Sequence, residues 1–132
     1  MCGVQLQLLV DALNEKILKH RVLHADETPI AVLSPGMGKR HRAYLWTYCP
    51  GAFEPMKAVI YDFAESRAGG HARAFLNPWR GQLVCDDFAG YRPMFTQGVT
   101  KVGCPANARQ KFYDLHAVSR SQIAEDALRY IS

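Results

Sequence analysis

Leu6, Leu9, Val10, Leu13 and Ile17 recur at three- and four-residue steps through "MCGVQLQLLVDALNEKILKH", an apolar stripe of helical period. It predicts a leading helix over residues 1–20 that packs its striped face against the rest of the chain. The pattern then changes. "RVLHADETPIAVL", "AYLWTYCP" and "KAVIYDF" are short runs rich in β-branched and aromatic residues, the composition of strands. A Pro/Gly turn with a basic tip, "SPGMGKRHR", separates the first two, and "GAFEP" separates the second from the third. Turns this short join antiparallel neighbours, because a parallel pair needs a crossover of about a dozen residues or more.

"AESRAGGHARAFLNPW" reads as a loop leading into a short helix, broken at Asn77-Pro78, that delivers the chain to "GQLVCDDF". Having crossed through a helix, this fourth apolar run is a candidate parallel strand. "AGYRPMFTQG" is a turn or short helical segment, and "VTKVGC" is a candidate fifth strand. "NARQKFYDLHAVSRSQIAEDALRYIS" is mostly helical in pattern, with Ala108, Phe112, Leu115, Ile123, Ala127 and Leu128 on apolar stripes. Three antiparallel strands, a helical crossover to a parallel strand, then alternating short strand and helix is the order of a ribonuclease-H-like α/β fold.

A chain of 132 residues has room for one domain with a single core. Its 48% apolar and 21% charged residues exclude the low-hydrophobicity, high-charge class that stays disordered. Sixteen basic against twelve acidic residues leave a net +4, which permits a polyanionic partner without requiring one. Cys2, Cys49, Cys85 and Cys104 are scattered, with no C-x-x-C pair and no zinc-ligand spacing. Cys49, Cys85 and Cys104 lie in or beside apolar segments and read as buried thiols in a reducing compartment. Nothing in the N-terminal stretch has the form of a signal peptide, and no apolar run approaches about 18 residues, so no membrane role is expected.

Against that ordinary background, the acids inside the strands stand out. Asp is depleted in strands, and an ionised carboxylate is costly to bury unless paired or bound to a metal. Asp26 and Glu27 interrupt the first run, and Asp86 and Asp87 end the fourth. If the fourth strand lies parallel beside the first, these acids meet at neighbouring positions, as carboxylates must to hold divalent cations between their oxygens. Side-chain alternation lets only one acid of each adjacent pair face such a site. The bland alternative has Glu27 and Asp87 exposed at strand ends, with Asp26 capping a turn through Thr28-Pro29 and Asp86 doing similar work.

"VLHADETPIAVL", "AYLWTYC", "YDFAESRAGGHARAFL", "GQLVCDDFAGYRPMF" and "VGCPANARQKFYDLH" resemble, in order and spacing, the catalytic core of DDE transposases of the insertion-sequence-66 type. The likeness runs from about Leu6 to Ser132. It implies a ribonuclease-H-like core in which two Asp and one Glu bind two divalent metals, Mg²⁺ or Mn²⁺, and nick and rejoin DNA at the ends of a mobile element. It also implies a bacterial cytoplasmic protein, associated with the nucleoid when on DNA, and is compatible with a homo-oligomer. Carried over by position, the catalytic and metal-binding acids are Asp26 and Asp86, because the family's "ADGYAGY" lies over Cys85 to Tyr91, with Asp87 where Gly is usual.

The departures matter too. The family's "CWAHARRKF" appears as "CPANARQKF", with Pro105 for Trp and Asn107 for His; Pro105 is tolerable before or in the first turn of a helix. The family's catalytic Glu is expected beyond residue 132, and no residue matches it; Glu125 is the nearest acid by location but falls upstream. The resemblance also implies N-terminal DNA-binding elements ahead of such a core, and no stretch of these 132 residues is expected to supply them. The expectation is therefore a partial catalytic core, inactive in strand transfer by itself.

For DNA contact, Lys39, Arg40 and Arg42 crowd the first hairpin tip beside His41, while Arg67, Arg73 and Arg80 surround the crossover. Arg109 and Lys111, opening a late helix, could reach the scissile strand. Such side chains grip phosphates without reading bases; a solvated turn is the alternative for the tip. Trp46 and Trp79 read as core anchors, and Phe112 and Tyr113 as packing or stacking partners of the late helix. Two rival functions remain at this level. A ribonuclease-H-like nuclease would need Asp62, Asp114 or Glu125 to join Asp26 and Asp86, and a non-catalytic DNA-binding or oligomerising remnant would need none of them.

Overall fold

The computed structural model describes residues 2–131. By internal contacts the chain forms two compact units, Met1–Val102 and Gly103–Ser132. The first holds helix α1 (Cys2–Ile17), strands β1 (Val22–Leu33), β2 (Arg40–Pro50) and β3 (Ile60–Ala64), helix α2 (Gly70–Leu76), strand β4 (Gln82–Cys85), a 3₁₀ turn over Ala89–Tyr91 and the short helix α3 (Arg92–Phe95). Strand β5 (Thr100–Gly103) begins in it and ends at the first residue of the second unit. The fold is α/β, with a mixed five-stranded sheet in the order β3-β2-β1-β4-β5.

The turn chemistry set the expected pairings, and they are met. β1 runs antiparallel to β2 and β2 to β3, while β4 returns parallel to β1 with Leu23 opposite Leu83 and His24 opposite Val84. Gly36 and Gly38, at φ +79° and +60°, supply the left-handed conformations that let the β1–β2 hairpin reverse. β3 starts three residues later than the apolar run "KAVIYDF", because pairing begins only at Tyr48 opposite Ile60, after β2 has closed on Pro50 and the turn at Gly51.

One sheet face carries the core. Alternation puts Leu23, Ala25 and Glu27 on one side of β1, and the register continues that side through Trp46 and Tyr48 of β2. Leu76 of α2, Tyr91, Met94 and Val99 close over it, with Tyr48 stacked on Phe75 at 3.9 Å and 6° between rings. Trp46 and Trp79 both lie in this core, as their type suggested. Helix α1 departs from expectation: Ile17 is fully buried and Leu13 packs on the core, but Leu6, Leu9 and Val10 are exposed. The helical period was right; only its last turn or so meets the sheet.

The entry to β1 is fixed by three long-range bonds. The Trp79 indole N–H donates to the His20 carbonyl at 2.8 Å, the Gln82 N–H to Arg21 at 2.8 Å, and the Gly51 N–H to Val22 at 2.9 Å.

The second unit is a helical hairpin. Helix α4 (Pro105–Ser119) has Pro105 in its first turn and ends at Arg120, whose left-handed backbone (φ 47°) breaks the late helical stretch before α5 (Gln122–Tyr130). α4 has no buried residue and α5 buries only Ala124. Among the described residues, no helix is long and apolar enough to cross a membrane.

Candidate functional site

The acids of β1 separate by strand alternation. Asp26 is exposed; Glu27, the next residue, is only 8% exposed and points with Leu23 and Ala25 into the aromatic core. This corrects the alternative in which Glu27 sits exposed at a strand end and Asp26 caps a turn: both lie mid-strand, paired with Trp46 and Thr47.

Glu27 survives burial because its lone pairs are met. The Arg67 guanidinium donates to Oε1 from Nε at 3.0 Å and again from Nη2, and the Tyr91 hydroxyl donates to Oε2 at 3.2 Å. Burial pushes the Glu27 carboxyl above its usual range, and nearby Asp86 pushes the same way, while the bonds from Arg67 and Tyr91 pull it back. Burial also raises the Tyr91 and Tyr48 hydroxyls, so both remain protonated donors at any working pH.

Arg67 is the hinge of the cluster. Its guanidinium lies 4.4 Å from the centre of the Phe88 ring, and its Nη2 stands 3.9 Å from Asp86 Oδ2. Phe88 is edge-on to Tyr91 at 5.6 Å and tilted against Trp46 at 6.0 Å. Asp86 Oδ1 accepts the backbone N–H of Phe88 at 2.9 Å, which fixes the turn leaving β4. The glycines of "RAGG" and "FAGY" make this possible: a side chain on Gly69 would collide with the backbone of Gly90, so the two chains touch only because both lack one. Arg73 spans the same junction, donating to the Gly90 carbonyl at 2.9 Å.

The parallel rows end at Leu23–Leu83 and His24–Val84; Asp86 follows just past the end of β4, where its recorded charge partner is Arg67, beside Glu27. Asp87 points elsewhere and pairs with Lys101. Cys85, between the strand and the acids, is buried, and burial lifts its thiol to about 11, so it is an inert neutral group. Cys49 and Cys104 are free and half-buried, less enclosed than expected.

The other candidate acids do not gather here. Asp62 lies opposite Trp46, in the row of Glu27 and on the sheet face away from Asp26. In the second unit, Asp114 accepts from Gln110 at 2.7 Å and Glu125 pairs with Arg129 at 2.8 Å. Among the described residues, no group of three or more His, Cys, Asp or Glu is placed to share a metal ion. The donor set does not fit a complete metal centre, and the one cation seated between Glu27 and Asp86 is the Arg67 guanidinium.

Of the basic residues named for DNA contact, Arg73 is half-buried and the others are exposed. Lys39, Arg40, His41 and Arg42 are exposed on the hairpin, where His41 Nδ1 and the Ser34 hydroxyl share a 2.8 Å hydrogen bond. Arg109 and Lys111 are exposed on α4. The sequence named Arg67 only as one charge near the crossover and left Tyr91 out. The signal lay in the motifs themselves: an Arg directly before "AGG" and a Tyr directly after "AG" sit where two glycines let their backbones touch.

The family model described as Transposase IS66 family matches residues 1–132. An uncharacterized protein of Sinorhizobium fredii (strain NBRC 101917 / NGR234), y4qI, is 32% identical over 140 residues, a span that covers 96% of this chain and 26% of the relative. The chain thus spans about a quarter of the length of the curated relative it matches. No solved structure matches.

Proposed function

The chain belongs to the IS66 transposase family, and from that premise we propose that it forms part of a transposase catalytic core that cleaves DNA phosphodiesters, with Asp26 and Asp86 as its acidic residues. The sheet order β3-β2-β1-β4-β5, with β4 parallel to β1, supports a ribonuclease-H-like core. One observation supports the residue assignment: β4 runs parallel beside β1 with His24 opposite Val84, so each acid lies two residues beyond the last paired row. Asp26 is exposed and hence accessible to a ligand, whereas Glu27 is spent on Arg67 and Tyr91.

Cleavage by such enzymes generally draws on a divalent metal, which activates the attacking oxygen and stabilises the leaving one. Two carboxylates make up only part of the ligand set for it. The role proposed for this chain is thus limited to its own residues: Asp26 and Asp86 would each offer a carboxylate, and Lys39, Arg40, Arg42, Arg109 and Lys111 supply exposed charge for DNA phosphates.

A second reading follows from the incomplete donor set: a non-catalytic DNA-binding member, in which Arg67 has replaced any need for a metal. A Mn²⁺-dependent nicking assay on supercoiled plasmid tests between them. The catalytic reading predicts weak nicking that Asp26→Asn and Asp86→Asn each abolish, with little or no strand transfer; the second predicts DNA binding unchanged by either substitution.

A further inference from the structure

The sequence places two acids side by side in β1, and strand geometry alone does not say why one is barred from cation chemistry. The side chains do. Arg67 gives two of its donors to Glu27 Oε1, leaves Glu27 with 1% of its side chain exposed, and stands over the Phe88 ring. Toward Asp86 it makes no hydrogen bond; 3.9 Å separates the nearest atoms, so the Asp86 oxygen is oriented by charge yet not consumed. Arg67 itself remains about half exposed, so its removal would open the Glu27 carboxylate to solvent and ions.

We propose that Arg67 is the selectivity residue of this site: a built-in cation that neutralises Glu27, keeps it out of any divalent-cation shell, and leaves Asp86 as the available carboxylate on that side. This deepens the functional reading and rests on it for the role of Asp86. Glu27 is then an anchor and Arg67 a positioning residue, and neither is catalytic. A guanidinium suits the task because its planar fork can bond one carboxylate while stacking on an aromatic face, which a lysine ammonium does less well.

The test is a Mn²⁺ titration of the full chain, following loss of the free-ion paramagnetic resonance signal, with circular dichroism melts to confirm folding. Arg67→Ala should bind Mn²⁺ at least about ten-fold more tightly than wild type, because it exposes an added carboxylate ligand beside Asp86. The gain should vanish in the Arg67→Ala/Glu27→Gln double variant, and Glu27→Gln alone should match wild type. Equal or weaker binding by folded Arg67→Ala overturns the proposal, as does a gain that persists without Glu27. Should Arg67→Ala fail to fold, Glu27→Gln decides: weakened Mn²⁺ binding would make Glu27 a ligand and sink the idea, and unchanged binding sustains it. Asp86→Asn separates this from the functional reading. Loss of wild-type binding there reports on Asp86 as a ligand, whereas the Glu27-dependent gain reports on Arg67 alone.

Discussion

β1 passes through two environments in twelve residues. From Val22 to Glu27 it lies among Trp46, Tyr48, Leu83 and Tyr91, and its one buried charge has three hydrogen bonds from fixed partners. From Thr28 to Leu33 it runs out into the hairpin, where residues are exposed or half-buried and the charges of Lys39, Arg40 and Arg42 project from the surface. The same backbone geometry therefore serves opposite purposes. In the inner half, charge is an element of structure, held by partners and costly to disturb. In the outer half, charge is free to meet something else and costs the fold little to remove.

The largest break in that contrast should come from Trp46, which is fully buried and touches Phe88 and Tyr91 edge-on or tilted. Trp46→Ala is expected to lose about 4 kcal/mol of stability by denaturant unfolding, enough to unfold a marginal domain. A pH titration probes the same region more gently. The folded-state pKa of Glu27 is raised above its usual 4.5, so folding favours the protonated acid. Its contribution to stability is therefore greatest below 4.5 and declines as pH rises toward the raised folded value. Unfolding midpoints of wild type and Glu27→Gln should diverge across that interval and run parallel on either side.

A smaller effect, of opposite sign, is expected at Tyr48. Among the described residues its hydroxyl is buried with no hydrogen-bond partner, so Tyr48→Phe should stabilise the protein by about 1 kcal/mol in the same unfolding assay. Smallest in stability is the hairpin tip. Arg40→Ala with Arg42→Ala should shift unfolding by less than about 0.5 kcal/mol. If both residues contact phosphates, the log–log salt dependence of DNA binding should flatten by about 0.9 per residue removed.

The outer half of β1 was legible from sequence, and so was most of the topology. Short Pro/Gly turns force antiparallel pairs, and a helix between apolar runs forces a crossover; both are local signals, and both strand order and the β1–β4 pairing followed. The inner cluster was not. Glu27 was left between a site acid and an exposed strand-end acid because the residue that makes its burial tolerable is Arg67, forty positions away, and no periodicity links them. Helix α1 shows the reverse error: Leu6 and Leu9 keep helical period, but period cannot tell how far along a helix a partner extends. Asp26 and Asp86 were singled out because acids are out of place in strands, a signal that does not distinguish Asp26 from Glu27. Family likeness alone chose between them; in the fold Asp26 is exposed and Glu27 is ion-paired to Arg67.

That choice is the centre of the account, and rates of Mn²⁺-dependent plasmid nicking by wild type, Asp26→Asn and Glu27→Gln test it most directly. The account predicts that Asp26→Asn loses the wild-type activity while folded Glu27→Gln keeps it. Equal rates in wild type and Asp26→Asn, zero included, would contradict it.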